Sequence, residues 1–163
     1  MFKKFLALSA VVLLVAACET GPNDGSSAGG AGGMGGGTGS GYAAPGTQED
    51  LVVNVGDRVF FALDRSDLTS EGRATLDRQA QWLKRYPNMS VTVEGHCDER
   101  GTREYNLALG ERRALTVKNY LIAAGVDSGR VQTISYGKER PAVLGGDESA
   151  WSQNRRGVTV VNP

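Results

Sequence analysis

The sequence predicts an α/β fold: a two-layer sandwich in which helices pack on a four-stranded sheet, in the order β-α-β-α-β-β. Three observations carry that expectation. Four short runs rich in Val, Ile, Thr and Phe are separated by segments whose apolar residues recur at helical spacing. Capping and stop residues stand at the junctions between them. Twelve of the 23 glycines fall between Gly21 and Gly46, so residues 50–163 have ordinary composition and enough length for one core.

Taken in order, residues 51–55 are apolar and fit either a helical turn or a strand. Residues 58–63 (RVFFAL) fit a strand, with Val59, Phe60 and Phe61 supplying β propensity. Thr69 or Ser70 can cap a helix running to about Tyr86, with Leu76, Ala80 and Leu83 on its core side. Gly72 stands where a capping box would place Glu, and Pro87 ends the helix. Residues 90–94 alternate as a second strand that breaks at Gly95. A second helix, from about Tyr105 to Ala124, carries a stripe of Leu107, Gly110, Ala114, Val117, Leu121 and Ala124, and Gly125 stops it. Residues 131–136 (VQTISY) form a third strand and 137–146 a loop. Asp147 caps a short helix through Trp151 to Arg156, and 157–161 (GVTVV) is the last strand.

Residues 1–17 have the parts of an export signal: Lys3 and Lys4, an apolar run at 5–15, and Ala16-Ala17 before a cut. A run of about 11 residues is too short to span a bilayer, which takes roughly 20. Val15-Ala16-Ala17-Cys18 resembles the bacterial lipobox, in which the cysteine thiol takes diacylglycerol and the amine freed by cleavage is acylated. At about 0.8 kcal/mol per buried CH₂, three acyl chains would anchor the chain almost permanently. Glu19, where Asp would retain such a protein, fits the sorting rule for the outer membrane. Residues 18–49 then form a lipid-anchored, Gly-rich linker with almost nothing to bury, roughly 30 Å in mean span and about 100 Å stretched.

The formal net charge is zero, which leaves no electrostatic case for nucleic acid. Two cysteines, Cys18 and Cys97, are too few for a disulfide framework. Cys97 fits a buried, unreactive thiol. His96-Cys97-Asp98-Glu99 invites a metal reading, but consecutive residues leaving a strand point in different directions and no second cluster completes a shell. No cofactor is expected. Asp98 and Glu99, being adjacent, do not converge on one bond as a hydrolase pair would, and no nucleophile or base is placed by motif, so the chain is not expected to be an enzyme. Trp82 and Trp151 fit packing roles, and Arg155 and Arg156 can brace either the acidic loop or the last strand.

The stretch 91–114, VTVEGHCDERGTREYNLALGERRA, concentrates the chemistry. Arg113 follows Asn106 by seven residues, about 20° short of two helical turns, so the two share one stripe roughly 10 Å apart along the axis. Gly110, between them, would leave room for a ligand backbone. Arg113 can hold a carboxylate through two parallel hydrogen bonds. Asp98 only accepts and suits an ammonium, whereas Asn106 serves either end. Together they match a zwitterion with an amine and an acid on one carbon. The alternative is an Asp98–Arg113 ion pair bracing loop to helix, which if exposed would contribute only about 0–1 kcal/mol.

VEGHCDERGTREYNLALGERRA, then Ser135-Tyr136-Gly137-Lys138-Glu139-Arg140-Pro141, then Asn154-Arg155-Arg156, closely resemble the peptidoglycan-associated lipoprotein family, within the wider OmpA-like domain group. The resemblance covers nearly all of 55–161 and fits the anchor and linker. It implies a periplasm-facing domain on a lipid anchor in the outer membrane of a Gram-negative bacterium. Such a domain binds the diaminopimelate stem peptide of peptidoglycan without covalent attachment, holding the outer membrane to the cell wall. It also implies partnership with TolB and other proteins of the Tol-Pal system, which serves envelope integrity and cell division. The ligand site would fall on Asp98, Asn106 and Arg113, with Asp64 and Leu109 flanking and Leu63 a weaker contact. Cys97 departs from the small residue, such as Ala, that would fit there. A second reading of the resemblance is a protein-interaction module for TolB, using the second helix and the 136–141 loop, with wall binding secondary.

Overall fold

The last strand of the chain lies inside the sheet, between the first two, and this insertion builds the candidate site. A computed structural model describes residues 43–163 of the protein. The export signal, Cys18 and most of the linker lie outside the described residues. Strands β1 (Arg58–Phe60), β2 (Val91–His96), β3 (Val131–Gly137) and β4 (Arg156–Val161) are ordered β1-β4-β2-β3. β2 and β3 run parallel, while β4 is antiparallel to both β1 and β2.

Helix α1 (Gln48–Asp50) continues into a π-helical turn (Leu51–Val55), which resolves the ambiguity of that segment as helical. Thr47 caps α1, three residues upstream of the Asp50 boundary read from the sequence. Helices α2 (Ser70–Arg85), α3 (Arg103–Ala123) and α4 (Glu148–Asn154) begin at Thr69, Thr102 and Asp147. Each of these capping side chains accepts the backbone N–H three residues on, at 3.0, 3.2 and 3.0 Å. A 3₁₀ turn, Ser128–Arg130, leads into β3. No helix among the described residues is long and apolar enough to cross a membrane.

The core lies between the sheet and the α2–α3 layer, with Leu51, Leu76, Leu83, Val91, Val93, Leu121 and Val131 fully buried. Buried polar groups inside it are paired. Gln79 donates to the Gly56 carbonyl at 2.7 Å and accepts from Thr159 Oγ1 at 2.8 Å.

Four expectations change. β1 ends at Phe60 rather than Leu63, although the Phe61 N–H still reaches the Arg155 carbonyl at 2.9 Å. β2 does not break at Gly95 but continues through His96, with an irregularity in its pairing to β3 between those two residues. The buried face of α3 is Asn106, Leu109, Gly110, Arg113, Ala114, Val117 and Leu121, and Leu107 is half exposed. The apolar pattern misplaced the first turns because polar Asn106 and Arg113 sit on the inner face. Finally, Gly110 does not make room for a ligand. A Cβ on Gly95 would lie 1.8 Å from the Gly110 carbonyl oxygen, and one on Gly110 would lie 2.3 Å from Ser135 Oγ. The two glycines let α3 press directly on the sheet.

Candidate functional site

β1 and β2 end, and β4 begins, at the same end of the sheet's strands, since Phe60 pairs with Arg156 and Gly95 with Gly157. The segments leaving and entering there, 61–65, 97–101 and Arg155, meet the first turns of α3. Between them lies a cavity of about 300 Å³. Asp98, Asn106, Arg113, Asp64, Leu109 and Leu63 all line it, so the fold brings together every ligand-site candidate of the described residues. Cys97, Arg100, Gly101, Tyr105 and Arg155 complete the wall.

Arg113 is the keystone. It is fully buried, and its guanidinium donates to three backbone carbonyls: Arg65 at 2.9 Å, His96 at 2.8 Å and Ala62 at 3.2 Å. These tie the β1 exit and the β2 exit to α3. A guanidinium has five N–H donors, so two remain beyond these three bonds. Burial lowers its pKa, with Cys97 and Asp98 opposing that effect.

Asp98 does not pair with Arg113, which removes the bracing ion pair as an account of these two residues. Its carboxylate accepts from the Arg100 backbone N–H and Nε at 3.1 Å each, from Arg100 Nη2 at 2.5 Å and from Arg155 Nη1 at 3.3 Å. Burial alone would raise its pKa, but the Arg100 and Arg155 hydrogen bonds outweigh that and hold it below the ordinary carboxylate range. Arg100 is the more accessible partner, with a side chain one-third exposed, whereas Arg155 is buried. Arg155 also donates to the Phe61 carbonyl at 3.1 Å and to Glu148, so it braces the acidic loop and the β1 exit together. Arg156 turns away, toward the Asn154 and Arg140 carbonyls.

Asn106 is buried, and its amide nitrogen donates to the carbonyls of Arg100 at 2.7 Å and Thr102 at 3.0 Å. That closes the acidic loop onto the start of α3 and leaves Oδ1 without a hydrogen bond among the described residues. Asp64 is the one described non-glycine residue with a left-handed backbone, at φ 59°, and its carboxylate accepts from the Tyr105 hydroxyl. The loop itself is pinned from outside: Lys138 Nζ donates to the Glu99 and Gly101 carbonyls at 3.1 and 2.7 Å. Glu99 accepts from Trp151 Nε1 at 3.1 Å, and the Arg100 guanidinium lies 3.9 Å from the Trp151 ring centroid. Trp151 therefore has a role at the mouth of the site beyond packing, while Trp82 packs edge-on against Tyr86.

His96 and Cys97 support the wall from behind. The Cys97 thiol donates to the Asn106 carbonyl at 3.3 Å, and burial raises its pKa. His96 is buried, stacks on Tyr136 with centroids 5.6 Å apart, and meets Glu94 at 3.3 Å through Nε2. Its Nδ1 has no partner among the described residues. Burial, reinforced by Arg156 and Arg140, lowers its pKa to about 4, so it is neutral at pH 7. No group of three or more His, Cys, Asp or Glu among the described residues is placed to hold a metal ion.

Arg100 and Tyr105 escaped the sequence reading, and Arg155 was legible only as a brace of either the acidic loop or the last strand. For Arg100 a signal existed, a guanidinium two residues after Asp98 in one turn, but nothing local chooses between the two roles of Arg155, 57 residues away from its carboxylate. The assembled cavity offers two carboxylates, three guanidiniums, an amide oxygen and the apolar side of Leu109. That set suits a small guest bearing both ammonium and carboxylate groups.

The OmpA family model matches residues 60–155. The chain is 53% identical over 154 residues to the peptidoglycan-associated lipoprotein of Rhizobium meliloti, covering 93% of this chain and 83% of that one. With the peptidoglycan-associated lipoprotein of Haemophilus influenzae it shares 45% over 157 residues, 96% of each chain. Among solved structures, that of the peptidoglycan-associated lipoprotein from Burkholderia pseudomallei superposes with a TM-score of 0.64 at 42% identity, covering 65% of this chain and 90% of the other. The C-terminal domain of Helicobacter pylori MotB, at 20% identity and a TM-score of 0.61, shares the fold. On this similarity, and with its four-stranded OmpA-like sheet, the chain belongs to the OmpA family, among the non-enzymatic peptidoglycan-associated lipoproteins.

Proposed function

We propose that the protein is an outer-membrane lipoprotein, anchored through lipid on Cys18, whose folded domain binds the diaminopimelate stem peptide of peptidoglycan without covalent attachment. Residues 1–17 serve as the signal, 18–49 as the lipid-anchored linker and 50–163 as the wall-binding domain facing the periplasm. The observation that carries this reading is the cavity that joins Asp98, Asn106 and Arg113. The free end of diaminopimelate bears an ammonium and a carboxylate on one carbon. Its carboxylate meets the two uncommitted Arg113 N–H donors. Its ammonium takes the place of Arg100 on Asp98 or uses the free Asn106 oxygen, and Asp64 and Leu109 flank it.

Co-sedimentation with purified peptidoglycan tests the assignment. Asp98→Asn removes the charge that an ammonium needs while keeping the shape of the side chain. Loss of sedimentation by Asp98→Asn, with an unchanged circular dichroism spectrum, supports the site, and full retention sinks it. Arg113→Ala is a poor probe, because three carbonyls lose their donor and the domain loosens with the site. Arg113→Lys, read together with the spectrum, serves better.

A second face supports the wider reading, a role in the Tol-Pal system with TolB as a partner. Exposed Leu107 and Arg103 on α3, with 135–139, line a separate depression of about 220 Å³. If TolB docks there, Leu107→Asp weakens TolB capture while leaving wall sedimentation intact. Displacement of TolB by stem peptide would instead place both ligands on one surface.

A further inference from the structure

The structure ties the amino-terminal edge of the domain down at more points than an ordinary chain entry needs. Gly46 N–H and Trp82 Nε1 both donate to the buried Asp50 carboxylate, each at 2.8 Å. Val161 N–H, at the end of β4, donates to Gln48 Oε1 at 2.7 Å. Leu51 is fully buried in the core. Arg78 and Gln79 on α2 hold the Val55 and Gly56 carbonyls at 3.1 and 2.7 Å, and Thr159 N–H reaches the Asp57 carbonyl at 2.7 Å.

The strand immediately after this segment is fragile by comparison. β1 is an edge strand of three residues, paired only with β4. It leads without a break into Ala62 and Arg65, whose carbonyls hold Arg113, and into Leu63 and Asp64 on the cavity wall. Load applied upstream of residue 43 would peel a short edge strand one pair at a time, and each pair lost is a step toward dismantling the site.

We infer that residues 43–57 are a load-bearing strap, locked by Asp50–Trp82 and Gln48–Val161, that shields β1 and the cavity from tension arriving through the amino-terminal linker. The inference rests on the proposed reading of a chain anchored at one end and bound to the wall at the other. It adds a property of the molecule: the tension at which the wall is released is set by the strap, remote from the ligand.

Single-molecule pulling tests it. With handles at Ser40→Cys in the linker and at Asn119→Cys on α3, in protein carrying Cys18→Ser, the first rupture in the absence of wall releases strap and β1 together, roughly 60 Å for residues 43–60 at about 3.5 Å each. Trp82→Phe, which takes one donor from Asp50 and keeps an aromatic ring in the core, lowers the force of that first step. Against immobilised peptidoglycan under constant load through Ser40→Cys, the variant's attachment lifetime falls about tenfold, as expected for losing one hydrogen bond to a charged group. Its unloaded sedimentation stays within about twofold of the parent, because the cavity is untouched. When the load enters at Asn119→Cys with Cys18→Ser, the strap is bypassed and the two lifetimes agree. Unfolding of the whole domain in one step, or equal shortening of lifetime from both attachments, overturns the inference. If the unloaded parent does not sediment with peptidoglycan, the wall reading fails, while the two-handle measurement still decides the strap.

Discussion

Asp50 and Asp98 are both buried carboxylates, 8% and 5% exposed, and both are held below the ordinary carboxylate pKa, yet they are solvated by opposite means. Asp50 accepts from the Asn54 amide, the Gly46 N–H and the Trp82 indole, all neutral groups, the last two fixed by the backbone and the core. Asp98 accepts from two guanidiniums, one of them on a partly exposed side chain. Neutral, fixed donors make a joint that has no reason to open. A charged, movable donor holds a place that another cation can take. The two carboxylates thus separate the molecule into a structural clasp at the amino-terminal edge and a receptive cavity at the far end of β1.

That contrast breaks first on the scaffold beneath the cavity. Gly95→Ala drives a methyl group into the Gly110 carbonyl, and neither backbone can yield without lifting α3 from the sheet. We expect a loss of about 4 kcal/mol or more in urea unfolding, with the cavity disassembled, while Gly129→Ala, where only the Asp127 side chain is near, costs far less.

Acid separates the two regions next. His96, behind the cavity, has a folded pKa of about 4 against 6.5 unfolded, so the unfolded state takes its proton first as pH falls. The stability it contributes is complete above pH 6.5 and is lost between 6.5 and 4, roughly 3 kcal/mol in all. The groups facing it are Glu94, Tyr136, Arg156, Arg140 and Arg58, and the three guanidiniums oppose its charging. His96→Gln flattens this part of the pH–stability curve. Asp50 and Asp98 act lower, because depressed carboxylates withdraw stability only as pH falls below 3.8.

Exchange of a charge for an amide distinguishes the carboxylates directly. Asp98→Asn reduces wall binding about 100-fold, the equivalent of roughly 2.7 kcal/mol, measured by sedimentation against a peptidoglycan series. Trp82→Phe, at the clasp, costs about 1–2 kcal/mol of stability by urea unfolding and leaves unloaded binding unchanged. Smallest of all, Leu107→Ser shifts the unfolding free energy by under about 0.5 kcal/mol, because that side chain is half exposed.

Much of this molecule is legible from its chain. The order of elements follows from local chemistry: Thr69 and Asp147 as caps, Pro87 and Gly125 as stops, Val91 and Val93 as one face of a strand. The site candidates were legible as types, since an acceptor, an amide and a guanidinium at helical spacing describe a zwitterion's complement. Long-range facts were not. Asn106 and Arg113 face inward because the cavity and the carbonyls of Ala62, Arg65 and His96 satisfy them there. An apolar stripe cannot report that. The partner of Asp98 is chosen by β4 entering the middle of the sheet and delivering Arg155. Gly110 looked like room for a ligand and proved to be the contact of a helix with a strand, because close approach depends on the element opposite. Local propensity and residue chemistry are properties of neighbours along the chain, so sequence states them. Which charge meets which, and which face of α3 is inner, depend on strands far apart in sequence, and only their packing settles it.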